Sequence, residues 1–225
     1  MVTGGTGGLG SGVVRVLVEA GERPVVTWVV EDERDRAVAE FGDAIELRRV
    51  DLGEESAVGE LVDEVSGSEG LGAFVHLVGG YLDGAPVAGM DMAGWDGQME
   101  LNLRLAALVM RSALPALRDD GGGRMVVVGS RAALQPFAGA SAYAASKAGL
   151  LALVAAASQE EREHGTTVNA VLPSVIDTPG NRAAMPDADH ARWVRPEEIG
   201  HVVRFLVSRE ASGVTGAAIP VYGRV

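Results

Sequence analysis

Thr3-Gly4-Gly5-Thr6-Gly7-Gly8-Leu9-Gly10 stands at the start of the chain, and the segments around it set the architecture. Residues 11–20 place Val13, Val14, Val16, Leu17 and Val18 at helical intervals, and Gly21 stops the pattern. A glycine-rich turn that opens a helix lets backbone approach a ligand closely and aims free N–H groups and the helix dipole at it. The stretch satisfies Gly-x-Gly-x-x-Gly through Gly5, Gly7 and Gly10, and Thr-Gly-x-x-x-Gly-x-Gly through Thr3, Gly4, Gly8 and Gly10. Either pattern alone is weak, because flexible loops are also rich in glycine. Followed by a helix and then a strand, it points to a pyrophosphate site. Such a turn normally follows a buried strand of about five or six residues. Only Met1 and Val2 precede this one, so a truncated first strand is expected, with its beginning upstream of Met1.

Beyond the turn, strand-like and helix-like segments alternate. Residues 24–30, 44–50, 73–78, 125–129, 167–172 and 217–221 read as strands. Residues 32–41, 54–66, 93–117, 141–164 and 197–208 read as helices. Short links between them predict an α/β fold, a doubly wound parallel sheet of about seven strands, in a single domain over residues 1–225. Ligands of such sheets sit beyond the carboxyl ends of the strands. That edge collects residues 3–10, Asp51, Gly79, Ser130 and residues 173–178.

The composition narrows the function classes. A content of 47% hydrophobic residues argues against disorder, and a formal net charge of −12 argues against nucleic-acid and anionic-membrane partners. With no cysteine, thiolate catalysis, disulfides and zinc–thiolate sites are excluded. His76, His164, His190 and His201 show no metal-ligand spacing, so no metal is expected. No charged-then-apolar leader precedes the turn and no apolar run approaches membrane length, so the expected location is cytoplasmic.

The chemistry points to Ser141-Ala-Tyr143-Ala-Ala-Ser-Lys147 at the start of an Ala- and Leu-rich helical run. Residues four apart on a helix share a face, so the Tyr143 phenol and the Lys147 ammonium are expected side by side. A free tyrosine has a pKa of about 10, and a nearby cation favours the phenolate and lowers it. Ser130 ends the apolar run Met125-Val-Val-Val-Gly-Ser130 and is placed to hydrogen-bond a substrate oxygen shared with the tyrosine. The Tyr-x-x-x-Lys spacing alone occurs by chance on Ala-rich helices. Its position at the same sheet edge as the glycine turn distinguishes it from a surface pair.

With these features in order, the chain resembles the short-chain dehydrogenase/reductase family, short single-domain type, from Thr3 to the C-terminus. The likeness rests on the glycine motif, Asp51, Asn102 within Leu-Asn-Leu, Ser130, Tyr143 with Lys147, and Pro173-Ser-Val-Ile-Asp-Thr178. It implies a Rossmann sheet and hydride transfer between NAD(P) and a carbonyl or alcohol. It makes Tyr143 the acid or base, Ser130 the group orienting the substrate oxygen, and Asn102 part of a water-linked relay with Lys147. In it, Lys147 lowers the phenol pKa and holds the nicotinamide ribose. The cofactor would lie against Thr3, Gly4, Gly8, Leu9, Gly10, Asp51, Gly79, Tyr143, Lys147, Pro173 and Thr178. Asp51 would contact the adenine and Thr178 the nicotinamide carboxamide, although Asp51 also reads as a helix cap and Thr178 as a turn residue. For Asn102 a structural role within its helix competes with the relay. The family's helices corresponding to residues 93–117 and 141–164 pair between subunits, which implies a homodimer or homotetramer.

Where the family usually has Asn-Asn-Ala-Gly, this chain has His76-Leu77-Val78-Gly79. His76 reads as a structural residue, with a ribose contact as the alternative. Cofactor choice leans to NAD over NADP: Glu31, Asp32 and Glu33 follow the second strand, and the glycine turn contains no basic residue. Arg34 and Arg36 are the residues that could oppose this. Tyr81, Leu134, Gln135, Phe137 and residues 180–193 would line a partly apolar substrate site. A cofactor-binding module without catalysis is the competing reading. A serine hydrolase is disfavoured, because Gly129-Ser130-Arg131-Ala132-Ala133 lacks the second glycine of a nucleophile elbow.

Overall fold

In a computed structural model that describes residues 1–82, 84–119 and 121–225, the strands form one seven-stranded parallel sheet. They are β1 (Val2–Thr3), β2 (Val25–Trp28), β3 (Glu46–Arg49), β4 (Ala73–His76), β5 (Arg124–Val128), β6 (Thr167–Pro173) and β7 (Ala218–Val221). The order is β3-β2-β1-β4-β5-β6-β7, so the winding direction reverses between β1 and β4. The register sets Val2 opposite Val26 on one side and Val75 on the other, and Thr3 opposite His76.

Alternation of side chains decides what each face buries. Val75, Val126, Val128 and Val171 face α1 (Gly8–Glu19) and α8 (Pro196–Val207). Phe74, Met125, Val127 and Val168 face α3 (Glu55–Glu69), α5 (Leu105–Asp119) and α6 (Ser141–Glu160). Because both faces are covered, the central strands are apolar without alternation, as the run Met125-Val-Val-Val illustrates. Each fully buried Val, Leu or Phe contributes roughly 1.5–3 kcal/mol. α2 (Glu31–Phe41) buries only Ala37, in keeping with its charged sequence.

Several details differ from the sequence pattern. The helix expected over residues 93–117 is α4 (Met92–Met99) and α5 joined by a π-helical turn, Glu100–Arg104. Pro115 lies inside α5 without ending it. The helix expected to reach residue 164 ends as α6 at Glu160, followed by the 3-10 turn Arg162–His164. α7 (Pro179–Ala184), capped by the Thr178 hydroxyl, was not expected. Among the described residues α6 is the one helix long and apolar enough to cross a membrane by length and composition. It packs on β6 and buries Lys147, Leu150 and Val154 against the sheet.

Candidate active site

The glycine turn lies at the carboxyl ends of β1 and β2, against the switch point of the sheet. A side-chain carbon at Gly10 would stand 2.1 Å from the Gly4 carbonyl oxygen, so only glycine lets the turn fold onto the first turn of α1. Gly7 caps α1 without a side-chain hydrogen bond, leaving the first-turn N–H groups to a ligand. A cavity of about 360 Å³ opens here, lined by Gly4, Thr6, Gly7, Gly8, Leu9 and Gly10. Trp28, Glu33, Asp51, Leu52, Val78 and Gly79 lie on its other sides. Backbone approach and free N–H donors beside the cavity fit the pyrophosphate and adenosine half of a dinucleotide.

The expected residues divide into those that reach this cavity and those that do not. Asp51 borders it, with its carboxylate accepting from the Gly53 N–H at 2.9 Å. Thr178 packs across Gly8, where a side-chain carbon would stand 3.1 Å from its Cβ. Pro173 ends β6, buried, and leads into that loop. Thr3 does not line the cavity: it is fully buried, and its hydroxyl is joined to Nδ1 of His76 at 2.8 Å. Parallel pairing of β1 with β4 puts the two residues side by side. His76 Nε2 has no hydrogen-bond partner. Burial, aided by the charge of Lys147, pulls the imidazole down to about 3, so it is neutral at working pH. The hydrogen bond and burial of His76 agree with the structural reading of this residue.

The second group of residues converges beside Gly79, whose φ of +152° is strained for any other residue. A carbon at that position would stand 2.7 Å from Asn102 Oδ1 and 2.9 Å from Lys147 Nζ. Asn102 projects from the π-helical turn, a kind of irregularity frequent at functional sites. Its amide holds the next residue at both polar atoms: the Gly80 N–H donates to Oδ1 at 2.9 Å, and Nδ2 donates to the Gly80 carbonyl at 2.9 Å. Gln98, one turn earlier and equally buried, donates to the Gly80 carbonyl at 2.6 Å and accepts from the Leu82 N–H at 3.1 Å. The sequence reading missed Gln98. Its i, i+4 spacing from Asn102 was the available signal.

Lys147 is buried and donates to the Val128 carbonyl at 2.8 Å. Burial pulls its ammonium down to about 8. Ser130, just past β5, accepts from the Ala132 N–H at 3.1 Å. The Tyr143 phenol behaves differently from the expectation based on spacing. Burial pushes its pKa up, and the opposing pull comes from a hydrogen bond with the Ser130 hydroxyl rather than from Lys147. The phenol is therefore held protonated near neutral pH, which is the form of a proton donor.

The sequence profile described as enoyl-(acyl carrier protein) reductase matches residues 4–223. Cis-4-hydroxycyclohexanecarboxylate dehydrogenase of Sinomonas cyclohexanicum is 33% identical over 99% of this chain and 94% of its own length. Dehydrogenase/reductase SDR family member 4 of Bos taurus is 30% identical, covering 99% of this chain and 85% of its own. The structure of a short-chain type dehydrogenase/reductase from Mycobacterium ulcerans superposes with a TM-score of 0.91 at 28% identity. That match covers 99% of this chain and 87% of the other.

Proposed function

The chain belongs to the short-chain dehydrogenase/reductase family, and from that premise we propose that Tyr143, Ser130 and Lys147 carry its proton transfer. It is an NAD(P)-dependent oxidoreductase acting on CH–OH and C=O groups. The observation that carries the assignment of residues is the convergence at Gly79. That residue borders the cavity of the glycine turn and also touches the space shared by Asn102 and Lys147.

The bound nicotinamide supplies hydride to the carbonyl carbon in reduction, or accepts it in oxidation. Tyr143 donates its proton to the carbonyl oxygen, and the Ser130 hydroxyl holds that oxygen in place. Lys147, held by the Val128 carbonyl and beside Gly79, adds a positive charge on the cofactor side of the site. Asn102 and Gln98 are positioning residues: their amides are engaged by the loop at Gly80 and Leu82. Thr178 and Pro173 would hold the nicotinamide half, and Gly4, Gly8, Leu9, Gly10 and Asp51 the adenosine half. A protonated phenol is the form that carbonyl reduction requires. Tyr143→Phe should lower carbonyl reduction about a thousandfold while leaving the fluorescence titration with NADH unchanged. Undiminished turnover in that variant would refute the assignment.

The residues at the ribose end of the cavity support NAD as the preferred cofactor. Glu33 lines it, accepting from the Thr6 hydroxyl at 3.2 Å, and its charge opposes a 2′-phosphate. Arg34, which could favour NADP, is already engaged: it donates to Asp35 at 2.8 Å and lies over the Trp28 ring at 4.9 Å. No arginine or lysine lines the cavity among the described residues. Titration with NADH and NADPH side by side tests the preference, and tighter NADPH binding would reverse it.

α6, through its surface, supports the reading of a homodimer or homotetramer. It is apolar, yet Ala148, Ala152, Ala155 and Ala156 are exposed, a surface suited to a second copy. Sedimentation of the purified chain tests this directly. The net charge of −12 suits a cytoplasmic protein that meets small molecules rather than nucleic acid or membrane.

A further inference from the structure

We infer that the substrate presents an uncharged apolar ring, aromatic or alicyclic, next to its reacting carbonyl or alcohol carbon. This rests on the placement of Tyr143 above. The Tyr143 ring meets the edge of Tyr81 at a centroid distance of 5.5 Å, with the planes at 78°. Tyr81 in turn lies 5.9 Å from Phe137, tilted by 58°. The three rings form a continuous wall leading outward from the phenol.

Two of them are left open to solvent: Tyr81 is 48% and Phe137 56% exposed, and Leu134 on the same loop as Phe137 is 57% exposed. An aromatic side chain can bury roughly 150–250 Å², so this wall leaves much of its apolar surface uncovered beside the reacting group. The wall is also preset. A parallel bridge between Ala85 and Ala140 joins the loop after β4 to the loop before α6. Gln98 anchors the start of the first loop at Gly80 and Leu82. Aromatic rings favour ring partners in offset or edge-on contact at about 4.5–7 Å, a gain beyond area alone. A short linear chain covers less of this wall and forgoes the ring contacts.

The charge pattern sets the second half of the inference. Neither residues 80–86 nor residues 132–140 include Lys, Arg or His. Arg131, just before the second loop, is engaged elsewhere: it donates to Gln135 at 2.9 Å and to the Val225 carbonyl at 2.8 Å. It also lies over the Tyr222 ring at 5.3 Å. In residues 180–193, Arg182 is paired with Asp177 at 2.7 Å, His190 is joined to the Met185 carbonyl at 2.8 Å, and Arg192 donates to the Arg224 carbonyl at 2.8 Å. A carboxylate or phosphate on the substrate would meet no unengaged cation in these segments to offset its desolvation.

Three methyl ketones with the same reacting group test both halves: acetophenone, butanone and acetylbenzoate, each with the cofactor that titrates tighter. The expected kcat/KM for acetophenone exceeds that of butanone and of acetylbenzoate by at least about tenfold. Phe137→Ala and Tyr81→Leu should each reduce the acetophenone-to-butanone ratio about tenfold, chiefly through KM. Circular dichroism checks that each variant is folded. Equal rates for acetophenone and butanone, a preference for acetylbenzoate, or an unchanged ratio in folded variants would each overturn the inference.

Saturation-transfer NMR of acetophenone on the Tyr143→Phe protein gives a readout that needs no turnover. Transfer to the ring protons that weakens when Phe137→Ala is added supports the ring site even if the proton-transfer assignment fails. Transfer that is absent, or unmoved by that change, rejects the ring site even if turnover depends on Tyr143.

Discussion

The two edges of the sheet differ in what they bury. At the amino edge, where β1 covers only Val2 and Thr3, a cavity of about 830 Å³ is lined by Met1, Val2, Pro24, Glu46, Arg48, Gly72, Ala73 and Arg124, among others. It is more than twice the volume of the cleft at the carboxyl edge. Within it Arg48 pairs with Glu46 and Glu64, and Arg124 donates to the carbonyls of Gly123 and Ser208. Nearby, buried Glu161 is held by a two-pronged contact from Arg118, with the Nε bond at 2.7 Å. At the carboxyl edge the buried groups keep unspent capacity: a lysine with a weakened hold on its proton, a histidine nitrogen without a partner, and a protonated phenol. Volume alone is a poor guide to the site, and the proposed assignment rests on several perturbed ionisable groups converging at the carboxyl edge.

Acid should expose this contrast most strongly. His76 has a native pKa of about 3 against 6.5 for the free side chain, so the unfolded chain binds a proton that the folded one refuses. Stability from this group is full above about pH 6.5 and is lost as pH falls toward 3, on the order of 4 kcal/mol. Chemical denaturation between pH 7 and pH 4 should show a steep loss in the wild type and a shallower one in His76→Leu. Parallel curves would mean that His76 does not control acid sensitivity.

Alkali should act on the same edge with opposite signs on rate and stability. Lys147 titrates at about 8 in the fold against 10.5 in the unfolded chain. Between those values the folded protein binds fewer protons, so this group's contribution to stability rises with pH, by on the order of 3 kcal/mol in total. Carbonyl reduction should instead decline above about pH 8 as the ammonium is lost. Denaturation midpoints compared between wild type and Lys147→Met over pH 7.5–10 read the first, and a pH–rate profile the second. A rate that stays flat through pH 9 would contradict the role of the charge.

At the amino edge the expected effects fall on stability alone. Arg118→Ala leaves the Glu161 carboxylate buried without its partner, at a cost of about 3 kcal/mol. Reduction rates at 25 °C should be unchanged in the folded fraction. A substantial loss of kcat would mean that the two edges are coupled. The smallest effect expected is on cofactor choice: Glu33→Gln should improve NADPH binding relative to NADH by about tenfold. An unchanged ratio would move the determinant away from Glu33.

The features legible in the sequence depend on near neighbours in the chain. The glycine turn, the strand–helix alternation and the Tyr143–Lys147 spacing each lie within a few residues, where backbone geometry fixes their relation. The features that escaped depend on partners distant in the chain. Thr3 looked like part of the glycine motif, and its hydroxyl is claimed by His76, 73 residues away, through strand register. Thr6 and Glu33 meet across β1 and α2, and Gln98 shows its purpose only once Gly80 lies beside it. The phenol pKa was misjudged for a related reason. Spacing shows the cation, but the burial that raises the phenol pKa, and the Ser130 hydroxyl that opposes it, come from the tertiary fold around the phenol.

The π-helical turn at Glu100–Arg104 has a consequence for how this chain tolerates insertions and deletions. A π turn accommodates one residue more than an α turn. Because the turn itself absorbs that residue, removing one there would return the segment to regular pitch while leaving α5 close to its present phase relative to α4. The cost would fall on Asn102, whose amide would be re-aimed relative to Gly80. A deletion at this point is therefore read by the loop at Gly80 rather than by the docking of α5 on the sheet.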